Sequence, residues 1–117
     1  MTPAGIPLRY VADAKQRIEL YRKLAEVMDE EDVNKLKGEL RDRFGPLPVA
    51  VELLLQVSVL KVLASQRDIS VIESKEDKLM LTRRDDFVMV GGRFPRLEKK
   101  EARARLNEIR RLLLLIH

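Results

Sequence analysis

The sequence contains no cysteine and no tryptophan, and its one histidine, His117, is the last residue. Without cysteine there is no disulfide framework, no thiol nucleophile and no cysteine-ligated zinc. A single terminal histidine leaves no Ser–His pair and no histidine cluster. Aromatic residues are scarce, at 4% (Tyr10, Tyr21, Phe44, Phe87 and Phe94). A platform on which single-stranded nucleic acid stacks base by base is therefore not expected. Neither phosphate-cradling glycine pattern occurs, and Gly91-Gly92 reads as a turn. The neighbouring carboxylates Glu76/Asp77 and Asp85/Asp86 fall in polar turns. The expected catalytic, cofactor-binding and metal-binding residues are thus none, and no small-molecule substrate is expected. The most apolar stretch, from Val49 to Ala64, is interrupted by Glu52, Gln56 and Lys61 and falls short of the ~20 residues of a membrane helix. No secretory leader pattern is seen. These absences point to a cytoplasmic, non-enzymatic domain with no membrane partner.

What is present is charge and aliphatic mass. Of 117 residues, 45% are hydrophobic and 36% charged, against a usual charged share of about 25%. The formal net charge of +4 is unevenly spread. Residues 1–92 hold 15 Lys/Arg and 16 Asp/Glu, whereas residues 93–117 hold 8 basic and 3 acidic residues. The entire cationic excess lies in the last segment, so the global charge says little about the rest of the chain.

Residues 1–12, with Pro3, Gly5 and Pro7, read as an extended lead-in, and residues 13–117 as one compact domain. Asp13 and Gln16 have capping-box spacing. Ile18, Tyr21, Leu24, Ala25 and Met28 then recur at helical steps and are expected to face the core. Asp29 opens a second helix with three carboxylates in its first turn. Its stripe is Val33, Leu36, Leu40 and Phe44, with Glu39 and Asp42 turned away from it. Gly45 is expected to close this helix as a left-handed cap. Pro48 suits the first turn of a third helix running to about Gln66, so apolar on most sides that it is expected to be central. Strand patterns follow at Ile69 to Ser74, Lys78 to Arg83 and Phe87 to Val90. A last helix, from about Leu97 to Leu115, carries a stripe of Leu97, Ala102, Leu106, Ile109, Leu113 and Ile116. The fold class predicted is α+β: three helices, a small three-stranded antiparallel sheet and a C-terminal amphipathic helix.

One stretch is specific. Glu39-Leu40-Arg41-Asp42-Arg43-Phe44-Gly45-Pro46-Leu47-Pro48 resembles the E-L-x-D-R-F-G-P-L-P motif of the carboxy-terminal domain of bacterial transcription-repair coupling factors. Ile6-Pro7, Tyr10, Arg17-Ile18 and Leu20-Tyr21-Arg22-Lys23-Leu24-Ala25 fit the same family in order and spacing, and the resemblance covers roughly residues 6–83. Beyond it the chain departs from the family pattern, since only Arg84-Asp85-Asp86 separates Arg83 from Phe87, and it looks like a shortened form.

The resemblance implies a domain excised from a longer protein, with Met1 foreign to it. That protein would be an ATP-dependent DNA translocase, using ATP and Mg in motor domains absent here. It would displace stalled RNA polymerase, bind double-stranded DNA and recruit the repair protein UvrA. It also implies a regulatory role in which this domain packs on an amino-terminal UvrB-like module and masks its UvrA-binding surface. Glu39, Asp42 and Arg43 would form that interdomain contact. Phe44, Gly45, Pro46 and Pro48 read as structural, fixing a helix–helix corner. A competing expectation is accessory DNA binding through the basic last helix, with Lys99, Lys100, Arg103 and Arg110 as candidate phosphate contacts. A third is that Leu112 to Ile116, five apolar residues that cannot all point inward, docks elsewhere on the parent.

Overall fold

The computed structural model describes residues 4–117, so the reading of Met1 lies outside the described residues. The elements are α1 (Ala14–Glu26), α2 (Glu30–Phe44), α3 (Val49–Ser65), β1 (Ile69–Lys75), β2 (Lys78–Arg83), β3 (Asp86–Phe87) and α4 (Ala102–Leu114). This is the expected α+β order of three helices, a sheet and a last helix. The residues divide into two compact units, 1–59 and 60–117, with the division inside α3.

In the first unit the helix starts follow the local chemistry. Asp13 Oδ1 accepts from the backbone N–H groups of Lys15 and Gln16, at 2.8 and 3.3 Å. The Asp29 carboxylate accepts from Asp32 N–H at 2.8 Å, and Glu30, Glu31 and Asp32 occupy the first turn of α2. Each cap satisfies amides that the helix itself leaves unpaired. The α2 stripe is buried as its period requires, at Val33, Leu36 and Leu40. In α1 the buried residue is Leu20, while Ile18 is 67% and Met28 80% exposed. The expected core face of α1 is therefore wrong: the helix carries two apolar stripes, and the one containing Leu20 is inside.

The lead-in is not extended throughout. The amides of Tyr10 and Val11 both donate to the Pro7 carbonyl, at 3.0 and 3.1 Å, closing a turn that buries Ile6 and Val11. Val51, Leu53, Leu55 and Val59 complete the buried apolar set described in this unit. Pro48 stands one residue before α3, its carbonyl accepting from Glu52 N–H at 3.0 Å.

In the second unit β2 is the centre of an antiparallel sheet of order β1-β2-β3. Its alternation puts Leu79 and Leu81 in the core, fully buried. Two residues, Arg84 and Asp85, make the β2–β3 turn, both with positive φ (52° and 64°), as a twisted two-residue hairpin turn demands. The third strand is shorter than expected. It ends at Phe87, and Val90 forms only a bridge to Arg93 around Gly91-Gly92.

The last helix also starts later than its pattern suggests. Pro95 to Leu97 runs alongside β2 instead: Leu79 N–H donates to Pro95 O at 2.8 Å, and Leu97 N–H to Asp77 O at 2.7 Å. Leu97 is buried from an extended segment, and Glu101 caps α4 through Ala104 N–H at 2.8 Å. Within α4, Ile109 and Leu113 face inward.

Candidate functional site

The residues of the ten-residue motif lie at the C-terminal end of α2 and the corner after it. Glu39, Asp42 and Arg43 fall within about 100° of the helix circumference at 100° per residue, so one outer sector of α2 carries all three. They differ in what they touch. The Glu39 carboxylate accepts from Lys23 Nζ of α1 at 2.9 Å and from Arg43 Nη1 at 3.1 Å. The Lys23 hydrogen bond, followed by that of Arg43, holds its carboxyl below the ordinary 4.5. Glu39, half-buried, thus ties α1 to α2 and holds Arg43. Asp42 is exposed and takes part in no ion pair among the described residues. It is the carboxylate of the sector open to a partner.

The corner is built as a structural device. The Arg43 guanidinium lies 5.0 Å from the centre of the Phe44 ring, a cation–π placement, and the ring packs on Tyr10 at 5.8 Å between centroids. The Tyr10 hydroxyl donates towards the carbonyl oxygens of Gly45 at 2.8 Å and Leu40 at 3.1 Å. Burial pushes the Tyr10 phenol above its ordinary value, partly offset by Arg41. Gly45 has positive φ as expected, but φ 90° and ψ −166° put it in the mirror-extended region open essentially to glycine alone, not in the left-handed helical one. Pro46 is exposed, and Phe44 and Pro48 are half-buried.

Two shallow grooves flank the Lys23–Glu39 pair. One, of about 200 Å³, is lined by Lys15, Gln16, Glu19, Leu20, Lys23 and Arg43. The other, of about 280 Å³, runs past Val27, Asp32, Lys35 and Leu36. Among the described residues no group of three or more His, Asp or Glu is placed to hold a metal ion, and no helix is long and apolar enough to cross a membrane.

The four candidate DNA contacts do not share one helix face. Lys99 and Lys100 precede α4 and are exposed. Arg103 and Arg110, seven residues apart, do lie on one side of α4. Lys99 is held by its backbone: the Glu108 carboxylate accepts from Glu98 N–H at 2.8 Å and Lys99 N–H at 3.0 Å. Those two hydrogen bonds keep the Glu108 carboxyl below its ordinary value. Arg105 donates to the carbonyls of Lys99 and Glu76, so part of the basic charge anchors the loop before α4. At the apolar end, Leu113 is buried while Leu114 and Leu115 are exposed.

The chain matches the TRCF domain family over residues 1–88. It belongs to that family. The TRCF domain is 39% identical over 79 residues to the transcription-repair-coupling factor of Bacillus subtilis (strain 168), covering 68% of this chain and 7% of the relative. To that of Rickettsia typhi it is 36% identical over 76 residues, 65% of this chain and 7% of the relative. The chain thus spans about 7% of the length of these curated relatives. A crystal structure of the C-terminal domain of a transcription-repair coupling factor superposes with a TM-score of 0.65 at 29% identity, covering 68% of this chain and 50% of the other.

Two residues of this TRCF domain that shape the site escape a reading by local pattern. Lys23 reaches Glu39 across sixteen positions of sequence, and Tyr10 reaches Gly45 across thirty-five. Both lie within the residues that carry the family resemblance, which is the only sequence signal that singles them out.

Proposed function

We propose that this TRCF domain is a non-catalytic regulatory module of a transcription-repair coupling factor. In this reading the parent is an ATP-dependent DNA translocase that displaces stalled RNA polymerase and recruits UvrA. The domain packs against the parent's UvrB-like amino-terminal module and masks the surface that binds UvrA. The observation that supports this most directly is the outer sector of α2. Asp42 is exposed there, beside an Arg43 already positioned by Glu39 at 3.1 Å. An open carboxylate next to a fixed guanidinium suits a reversible, charge-assisted contact with arginines and carboxylates of a partner. In this reading Asp42 and Arg43 make the contact, and Glu39, paired with Arg43, positions it.

The experiment is UvrA capture by the intact parent carrying Asp42→Lys. The substitution leaves the Lys23–Glu39–Arg43 pairs in place, so the fold is kept. Release of the masked surface should raise UvrA binding about tenfold, the effect of about 1.4 kcal/mol of lost contact. UvrA binding unchanged by Asp42→Lys, with a native circular dichroism spectrum, overturns the reading. Accessory DNA binding has less support, because Lys99 and Lys100 lie ahead of α4 and Arg105 is spent on backbone carbonyls.

A further inference from the structure

Both faces of the three-stranded sheet carry apolar side chains, but only one is covered. Side chains alternate along a strand, so Leu79 and Leu81 of β2, fully buried, leave Lys78, Met80 and Thr82 on the opposite face. Residues directly opposite one another in an antiparallel pair share a face, and the register assembles this outer face in rows. Thr82 stands opposite Val71 of β1 and Phe87 of β3. Met80 stands opposite Glu73, and Lys78 opposite Lys75. Arg96, bridged to Lys78, continues the last row. Val71 and Phe87 are 41% and 40% exposed, while Met80 and Thr82 are half-buried. The Phe94 ring packs edge to face with that of Phe87, 5.3 Å between centroids, and widens the apolar part. From the first row to the last the face runs about 13 Å along the strands and about 10 Å across them, the footprint of two to three turns of a helix.

The cationic row decides what covers the apolar one. Arg96 is matched by Asp77 at 2.6 Å and adds no net charge. Lys75 and Lys78 are exposed and take part in no ion pair among the described residues. Like charges directly opposite, with Cβ atoms about 5 Å apart, destabilise the hairpin they close. Carboxylates laid over the two ammonium groups turn that repulsion into attraction. Nucleic acid fits less well. Glu73, exposed in the middle row, repels a phosphate backbone drawn across the face, and Phe87 and Phe94 are turned on each other instead of offering parallel rings to successive bases. A second copy of this chain fits no better. Packed face to face about a two-fold axis along the strands, it sets Lys78 on Lys78; about an axis across them, it sets the lysines on the apolar row.

We propose that the outer face of the sheet docks a short amphipathic helix of another protein, with aliphatic side chains over Val71, Met80 and Phe87 and carboxylates over Lys75 and Lys78. The surface uses no residue of the α2 sector and does not depend on the proposed regulatory role. The probes are two labelled synthetic peptides of about 18 residues, long enough for helix to form. They share one leucine stripe and carry either glutamates or lysines at one end of it. Fluorescence anisotropy against the 117-residue chain at low salt should show the acidic peptide binding about tenfold more tightly than the basic one. Lys75→Glu with Lys78→Glu, both at exposed positions, should invert that preference. The glutamate peptide with serine in place of leucine should not bind at about 1 mM. Amide chemical shifts of the isotope-labelled chain should move along β1, β2 and residues 87–96 when the acidic peptide is added. Equal affinity for the two peptides, no binding of the acidic one at about 1 mM, full binding without the leucines, shifts confined to other surfaces, or an unaltered preference in the double variant overturns the proposal. So does tighter binding of a single-stranded oligonucleotide than of the acidic peptide, or a shift of these same amides with concentration in the chain alone.

Discussion

Lys23 of α1 and Glu39 of α2 pair at 2.9 Å across the helix–helix contact, and the same carboxylate oxygen accepts from Arg43 at 3.1 Å. One acid is shared by two cations, so the carboxyl is held below its ordinary 4.5. A group with a depressed folded value stabilises the fold above its unfolded value, and that contribution is lost as pH falls through the folded one. Both side chains are roughly a third to a half exposed, which limits the pair to about 0.5 kcal/mol. Glu39→Gln should therefore lower the urea midpoint slightly at pH 7 and not at all in strong acid, and 1 M salt should shrink the difference at pH 7. A penalty that persists in strong acid would mean that packing, and not the shared charge, is what Glu39 supplies.

Tyr10→Phe isolates the hydroxyl that holds the end of α2. The phenylalanine keeps the ring contact with Phe44 and loses the donor to Gly45 and Leu40. Equilibrium unfolding should show a loss of about 1 kcal/mol. Because the phenol is raised above its ordinary 10.0, the contribution is complete below that value and disappears as pH climbs through the raised one. The wild type and Tyr10→Phe should thus converge in stability in strong alkali.

Gly45→Ala tests the backbone of the corner alone. A Cβ at Gly45 would meet nothing within 4 Å, so steric contact with neighbours plays no part. The cost comes from φ 90° and ψ −166°, and is expected at about 1–3 kcal/mol. D-alanine at the same position, introduced by chemical ligation, should restore most of it.

How much of this was legible depends on how far apart the interacting residues are. Asp29, the acidic first turn and the stripe Val33, Leu36 and Leu40 are settled within one helix, and all three stripe residues are buried. The β1–β2 hairpin is equally local, with Lys75 opposite Lys78. The side of α1 that faces inward is not local. Ile18, Tyr21 and Ala25 have as good a period as Leu20, Leu24 and Val27, and periodicity cannot say which stripe a neighbour will cover. The expected stripe of the last helix includes Leu97, yet at 100° per residue Leu97 falls roughly 120–180° from Ala102, Leu106, Ile109 and Leu113. Its placement is decided by Asp77 and Leu79, which hydrogen-bond the chain around it into the sheet. In the candidate site the sector of α2 was visible as outward polar positions, but the commitment of Glu39 to Lys23 needed the pairing of two helices.

Two arginines close the second unit, and their separate removal shows whether they act together. Arg67 donates from Nε to the Ile116 carbonyl and from Nη1 to the Leu63 carbonyl, both at 2.9 Å. Arg83 donates to the His117 carbonyl at 2.9 Å. Cations at a helix C-terminus satisfy carbonyls that lack an intrahelical partner and oppose the negative end of the macrodipole. Arg67 also grips the last turn of α3, so its loss frees one acceptor on α3 and one in the segment just after α4. Arg67→Met keeps the apolar stem and should cost about 1–2 kcal/mol, with faster amide exchange in the last turn of α4. Arg83→Met removes one donor at the exposed end and should cost less. Since both hold the same short segment, the double variant should lose less than the two single losses added, by about 0.5 kcal/mol or more. Strict additivity would show that each arginine holds its own carbonyl independently of the other.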